Sequence, residues 1–261
     1  MEQTKALGGC CGGVYSYDAV RLILGDAWHP GGLEMTGRLA SKLGIGPGDH
    51  VLDVACGIGT TARYLALNFR CAVIGVDRSF QNVGEAVRRS SVSDGEVEFA
   101  AGESSNTPLA DGSADAVIME CVLSSFNDKR RAIAEAIRVL KPGGKLGVSD
   151  VVVDGEIPGA LRSPSLQAFC VSGALSTAGY RELFRTSGLE NLMHEGETEE
   201  AMEFVEGIRK KVFVAQLLAG VGKLPVASDQ LKEASRLLSM AKRSIQERAL
   251  GYALFIARKP R

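Results

Sequence analysis

Through the first 153 residues, short runs of β-branched and other apolar residues alternate with stretches whose apolar positions recur at helical spacing. Gly32–Leu43 reads as a helix, followed by the turn Gly46-Pro47-Gly48. Val51–Ala55, Ala72–Val76, Val97–Ala101 and Ala116–Met119 read as strands, with helices predicted over Thr60–Leu67 and Gln81–Ser90. Lys129–Leu140 puts Ile133, Ile137 and Leu140 on one helical face. Pro142-Gly143-Gly144 stops that helix before a strand at Lys145–Val153. This alternation predicts an α/β fold, a mostly parallel sheet covered by helices on both faces.

Beyond residue 160 the pattern changes. Thr177–Thr186 has helical spacing and Leu189–His194 is strand-like. Two longer helices are predicted over Glu199–Leu218 and Ser228–Glu247, joined by a turn containing Gly and Pro. Leu250–Ala257 is a last run of strand formers that completes the sheet. The helical pair, about 199–247, is then an insertion before the last strand. It serves either as a lid over a ligand or as a packing hairpin. The chain divides into an N-terminal segment with the first helix, 1–45, and one α/β domain, 46–261.

A chain of 261 residues with 45% apolar and 23% charged positions can bury a full core. Its 30 basic and 31 acidic residues leave a net charge of -1, without the footprint of a nucleic-acid binder. No apolar run approaches the ~18 residues of a membrane span. The opening MEQTKALGGCCGG lacks the apolar core of a signal peptide, which points to the cytoplasm. There, six cysteines (Cys10, Cys11, Cys56, Cys71, Cys121, Cys170) do not make a disulfide framework. Without a Cys-x-x-Cys, and with His29, His50 and His194 scattered, a structural zinc site is not expected.

The strongest local signal is Val51-Leu52-Asp53-Val54-Ala55-Cys56-Gly57-Ile58-Gly59-Thr60, a strand entering a Gly-rich turn with a helix starting at once. Gly57 and Gly59 permit the sharp bend and a ligand's close approach. The helix N-terminus offers free N–H groups. Asp77 ends the next strand, 20 residues after Gly57, where a carboxylate can accept both hydroxyls of a ribose. Gly57-x-Gly59-x-x-Ala62 also fits the dinucleotide fingerprint. Against that, Asp53 before the loop would repel a pyrophosphate but suits an ammonium group. Glu103, after the third strand, can accept from an adenine amino group, and the Tyr-x-x-x-Lys pair of many reductases is missing.

Segment 51–153 resembles the class I S-adenosylmethionine-dependent methyltransferases, on VLDVACGIGTT, VIGVDRS, AAGESSNTPLADGSADAVIMECVL and RVLKPGGKLGVSD, in that order. The chain departs from the common pattern at Ala55, where Gly is usual. The resemblance implies a Rossmann-like seven-stranded sheet, mostly parallel with its last strand antiparallel, and makes 46–261 the S-adenosylmethionine-binding domain. It implies that Asp53, Gly57 and Gly59 line the methionine end, that Asp77 meets the ribose, and that Arg78, Gly102 and Glu103 surround the adenine. Ala55, Cys56, Ser104 and Glu120 are counted with them as cofactor-binding positions.

Ser149-Asp150-Val151-Val152, Glu156-Ile157-Pro158, Gln167–Leu175 and Tyr180-Arg181-Glu182-Leu183 resemble the arsenite methyltransferases within that class. That family carries one Cys after strand four and another in a C-x-x-G-A-L segment. Cys121 and Cys170 match the two positions, 49 residues apart. The resemblance implies that both hold trivalent arsenic as substrate and are the catalytic residues, with a third thiolate from the N-terminal region, where Cys11 beside Cys10 is the candidate. Read as a residue alone, Cys121 is more simply a buried structural cysteine, and with an organic acceptor Cys121 and Cys170 would be pocket walls. Cys56 reads as a small residue filling the turn and Cys71 as core. His29 reads as a turn residue or an acceptor-site base, Tyr15 and Tyr17 as residues able to close over the cofactor, and Arg209-Lys210-Lys211 as a solvated helix face.

Three functions compete. The first is an arsenite methyltransferase, for which positioning suffices and a thiol reductant is a natural partner. The second is a methyltransferase for a small organic acceptor such as a quinone, sterol or amine, which needs a base such as His29 or Glu120. The third is a nucleoside-binding regulator or a reductase, of which Asp53 and Glu103 disfavour the reductase form. In the first two the partner is a small-molecule or metalloid substrate, with neither nucleic acid nor membrane. The sequence leaves the oligomeric state open.

Overall fold

The computed structural model describes residues 29–163, 170–220 and 228–261. Its strands are β1 (His50–Val54), β2 (Ala72–Asp77), β3 (Val97–Ala101), β4 (Ala114–Glu120), β5 (Leu140–Val153), β6 (Glu190–Gly196) and β7 (Leu250–Arg258). They form one sheet in the order β3-β2-β1-β4-β5-β7-β6. β1 pairs in parallel with β2 and β4, β2 with β3, and β4 with β5. β7 is antiparallel to both β5 and β6. This is the expected α/β sheet, and its last strand runs against the rest.

The helices are α1 (Gly32–Leu43), α2 (Thr60–Phe69), α3 (Phe80–Arg89), α4 (Lys129–Val139), α5 (Thr177–Thr186), α6 (Thr198–Gly220) and α7 (Ser228–Gln246). Strand side chains alternate between two apolar cores, as a pleat of period two requires. Val51, Ala116, Ile118, Tyr252 and Leu254 join Met35 and Leu39 of α1 and Leu65 of α2 on one face. Leu52, Val117, Met119, Val148 and Phe255 join Ile133 of α4 and Phe184 of α5 on the other.

β5 begins at Leu140, five residues earlier than the pattern predicts. Its pairing with β4 steps from Ala114–Leu140 to Ala116–Lys145. Pro142-Gly143-Gly144 is therefore a bulge inside the strand rather than a break before it. A Cβ on Gly144 would stand 2.9 Å from the Lys141 carbonyl oxygen and 3.0 Å from that of Asp115, so the bulge admits no side chain there.

α6 and α7 form a hairpin between β6 and β7, as the insertion reading expects. Ala201 and Ile245, at its root, enter the α1-side core. Farther out, Ile208, Val212, Ala215 and Leu231 make a small core of their own. Among the described residues, no helix is long and apolar enough to cross a membrane.

Candidate functional site

The strand order reverses direction between β1 and β4, and in open α/β sheets ligands bind in the crevice at the carboxyl ends of such strands. Here β1 delivers Asp53 and β4 delivers Glu120, both turned toward the α1 side by the pleat. Between β1 and α2 the loop runs through three left-handed residues, Ala55 (φ 59°), Gly57 (φ 56°) and Gly59 (φ 77°). A Cβ on Gly59 would fall 2.4 Å from the Phe99 ring, whereas one on Gly57 would point into open space. Gly59 is thus required by packing, and Gly57 leaves a cradle that a ligand can enter.

Asp77 accepts the Gly57 N–H (2.9 Å), the Ser79 N–H (2.8 Å) and the Asn82 side-chain amide (3.3 Å). A carboxylate offers about four acceptor positions, so about one remains for a ribose hydroxyl in this arrangement. Gly102 donates its N–H to the Asp77 carbonyl at 3.1 Å, bringing the end of β3 beside that carboxylate. Arg78 and Glu103 are exposed at the rim, and Ser104 is half-buried.

Three acids crowd the crevice: Asp53, Asp77 and Glu120 are 3%, 7% and 9% exposed. The N–H of Ala62, in the first turn of α2, donates to Asp53, but Asp53 Oδ2 is buried with no partner. Burial first, then the charges of Glu120 and Asp77, hold the Asp53 carboxyl well above the usual carboxylate range. Glu120 accepts from the Thr36 hydroxyl (2.9 Å to Oε2) and the Thr61 hydroxyl (2.8 Å), joining β4 to α1 and α2. His29 Nε2 stands 3.6 Å from the same Oε2. His29 lies in the turn before α1, as expected, but its ring is buried against Glu120. A cationic ligand would relieve this excess of buried negative charge.

Cys121 follows Glu120 directly, and its N–H donates to the Ser149 carbonyl at 2.6 Å. Cys170 lies against it, with Sγ 2.8 Å from the Cys121 carbonyl oxygen. The two sulfurs and a carboxylate oxygen of Asp150 lie within 4.8 Å of one another. Gly173 permits this approach, since a Cβ there would sit 2.1 Å from the Ser124 carbonyl oxygen. Cys121 (φ 54°) and Cys170 (φ 62°) are both left-handed. With Ala55 they are three of the six non-glycine residues of positive φ among those described, and strain of this kind gathers at functional sites.

Asp150 is fully buried on β5 and accepts from the Ser124 N–H, the Ser124 hydroxyl and the Val151 N–H, all at 2.7 Å. Burial pushes its carboxyl up to about 6 against those bonds. Lys129 Nζ, near Asp150 and Cys170, donates to the Ser124 and Phe126 carbonyls at 2.9 Å each. Cys56 and Cys71 are buried away from this pair. Burial, with Asp53 and Asp77 next, raises the Cys56 thiol far out of reach of ionisation, and burial raises Cys71 to about 11. Cys10, Cys11, Tyr15 and Tyr17 lie outside the described residues.

Thr36, Thr61, Lys129 and Asp150 have no assigned role in the sequence reading. Asp150 carried a readable signal, a charge inside the apolar run Val148–Val153 of a central strand. The two threonines carried none, because only the tertiary fold brings them to Glu120.

A Gly-rich loop after β1, an acid ending β2 and an acid-lined crevice at the switch point define a Rossmann-like fold with a ligand-sized crevice at the strand ends. Residues 52–148 match the family model of a methyltransferase domain, and over that segment the chain is similar to the S-adenosylmethionine-dependent methyltransferases. Over 150 residues it is 33% identical to the arsenite methyltransferase of Halobacterium salinarum, covering 56% of this chain and 38% of that protein. Over 176 residues it is 28% identical to phosphoethanolamine N-methyltransferase 1 of Arabidopsis thaliana, covering 67% of this chain and 36% of that one. The chain thus spans well under half the length of either relative. Its fold matches that of Haemonchus contortus phosphoethanolamine N-methyltransferase 2 in complex with phosphomonomethylethanolamine and S-adenosylhomocysteine. The TM-score is 0.78 at 20% identity, over 96% of this chain and 58% of that one. S-adenosylmethionine carries an ammonium and a sulfonium and no phosphate, which fits the acid cluster and the orphaned Asp53 oxygen.

Proposed function

We propose that the protein methylates trivalent arsenic, as arsenite or its thiol adducts, held by the thiolates of Cys121 and Cys170. The observation that carries this reading is the convergence of the two sulfurs at the end of β4, beside the acid-lined crevice. Bound S-adenosylmethionine supplies a methyl group on a sulfonium. Asp53 and Glu120 hold its positive end, Asp77 and the Gly57 cradle its ribose side, and Gly102 the neighbourhood of its base. Soft thiolates suit a soft thiophilic centre. A trivalent arsenic lone pair carries no proton, so the chain needs to supply position rather than a base. In this reading Cys11 is the third thiolate, and the reaction belongs in the cytoplasm, where a thiol reductant keeps the cysteines reduced.

One contact favours a second reading, a small organic acceptor such as an amine, quinone or sterol. His29 and Glu120 form a buried acid–base pair beside Cys121, able to take a proton from an acceptor that has one to lose. Cys121 and Cys170 would then be walls. A methyl-transfer assay from labelled S-adenosylmethionine, with arsenite and thiols set against a panel of organic acceptors, separates the two. Label in arsenite is expected. Label only in an organic acceptor replaces the first reading with the second.

A further inference from the structure

Two thiols and one carboxylate meet where β4 ends, and their donor atoms lie within 4.8 Å of one another. A tetrahedral ion with sulfur at about 2.3 Å and oxygen at about 2.0–2.2 Å brings its ligands to roughly 3.5–4 Å from each other. The group can close on such an ion by small side-chain movements. Asp150 Oδ1 is filled by the Ser124 hydroxyl and the Val151 N–H. Among the described residues Oδ2 accepts one bond, from the Ser124 N–H, and so keeps a lone-pair position. The same bonds fix the carboxylate in place. Cys121 is half-buried, which leaves an entry route and a fourth position for water.

The charges also balance. Two thiolates and the carboxylate carry three negative charges. Lys129, fixed by the Ser124 and Phe126 carbonyls near Asp150 and Cys170, returns one positive charge. The remainder matches a divalent cation.

We propose that Cys121, Asp150 and Cys170 form a site of two sulfurs and one oxygen for a single soft or borderline divalent cation of the zinc or cadmium type. The ion occupies the acceptor pocket as a dead-end ligand. A sulfonium methyl is an electrophile and needs a lone pair to attack it, and zinc and cadmium ions offer none. The inference shares its pocket with the arsenic reading and rests on that reading only for the statement that the ion blocks methyl transfer.

Cadmium titration of the full chain, followed by thiolate-to-metal charge-transfer absorption, is expected to saturate at one ion per chain. Cys121→Ser and Cys170→Ser should each weaken binding roughly 100-fold, and Asp150→Asn roughly tenfold. Asp150 also anchors Ser124, so a second measurement leaves the chain unchanged. X-ray absorption of the zinc-loaded protein is expected to show two sulfurs at about 2.3 Å with oxygen at about 2.0–2.2 Å. Absence of the charge-transfer band, or a shell of three or four sulfurs, overturns the proposal. Arsenite methylation by a protein that binds no cadmium rejects this inference alone. Cadmium binding without arsenite methylation upholds the site and rejects the arsenic reading alone.

Discussion

The N–H of Gly57 donates to Asp77 Oδ2 at 2.9 Å, so the acid that ends β2 also holds the loop that ends β1. Asp77→Ala removes both the proposed ribose acceptor and the anchor of the Gly57 loop. A charge-assisted bond is worth roughly 1.5–3 kcal/mol, so S-adenosylmethionine affinity measured by calorimetry should fall at least about tenfold. The secondary structure should survive, because Asp77 sits at a strand end. An unchanged affinity would remove Asp77 from the cofactor site.

Ala55 stands at φ 59°, where the family pattern has glycine. A Cβ in the left-handed region is strained, and replacing it with hydrogen relieves more than the added freedom of the unfolded chain costs. Ala55→Gly should stabilise the protein by about 1 kcal/mol, a rise in Tm of roughly 2–4 °C for a chain of this size. A lower Tm in a thermal melt would mean that the left-handed backbone at Ala55 carries no strain.

The strand and helix succession was legible because each element hides its apolar residues at its own period, as Val51, Leu52 and Val54 on β1 and Ile133 and Ala136 on α4 do. The Gly loop was legible because positive φ selects glycine at Gly57 and Gly59. The start of β5 was not, since Pro142-Gly143-Gly144 has the chemistry of a terminator and only pairing with β4 makes it a bulge. The clamp on Glu120 was equally hidden, because Thr36 is 84 residues away in sequence and Thr61 is 59. Asp150 reached the cysteines in the same way, through strand register rather than local pattern.

Glu135, on α4, accepts from the Thr107 N–H (2.6 Å), the Thr107 hydroxyl (2.7 Å) and Arg138 (2.7 Å to Oε1, 2.8 Å to Oε2). The Arg138 bonds, with those from Thr107, hold its carboxyl at about 2 against burial. A depressed carboxyl contributes stability that is present above its ordinary value near 4.5 and lost as pH falls toward 2. Glu135→Gln should cost about 2 kcal/mol at neutral pH. Urea melts at stepped pH should show the gap from the unsubstituted protein closing between about 4.5 and 2. A gap that stays constant down to pH 2 would show that the Arg138 and Thr107 contacts do not favour the ionised form.

Cys121 and Cys170 separate the two acceptor readings. If their thiolates hold arsenic, Cys121→Ser and Cys170→Ser should each abolish arsenite methylation while S-adenosylmethionine affinity stays nearly unchanged, because the acid cluster and Gly loop are untouched. Serine keeps the shape but is a hard ligand that stays protonated, so the soft centre loses its hold. The two losses should not add, since ligands of one centre act as a unit. Cys10→Ser and Cys11→Ser should each cost less, because either thiol can stand in for the other. If the acceptor is organic, Cys121→Ser and Cys170→Ser should cost only about 1 kcal/mol of packing stability, with turnover kept. Near-normal turnover of the true acceptor by the double variant, in a protein whose melt and cofactor affinity are intact, would end the arsenic reading. The match of residues 52–148 to a methyltransferase domain would stand.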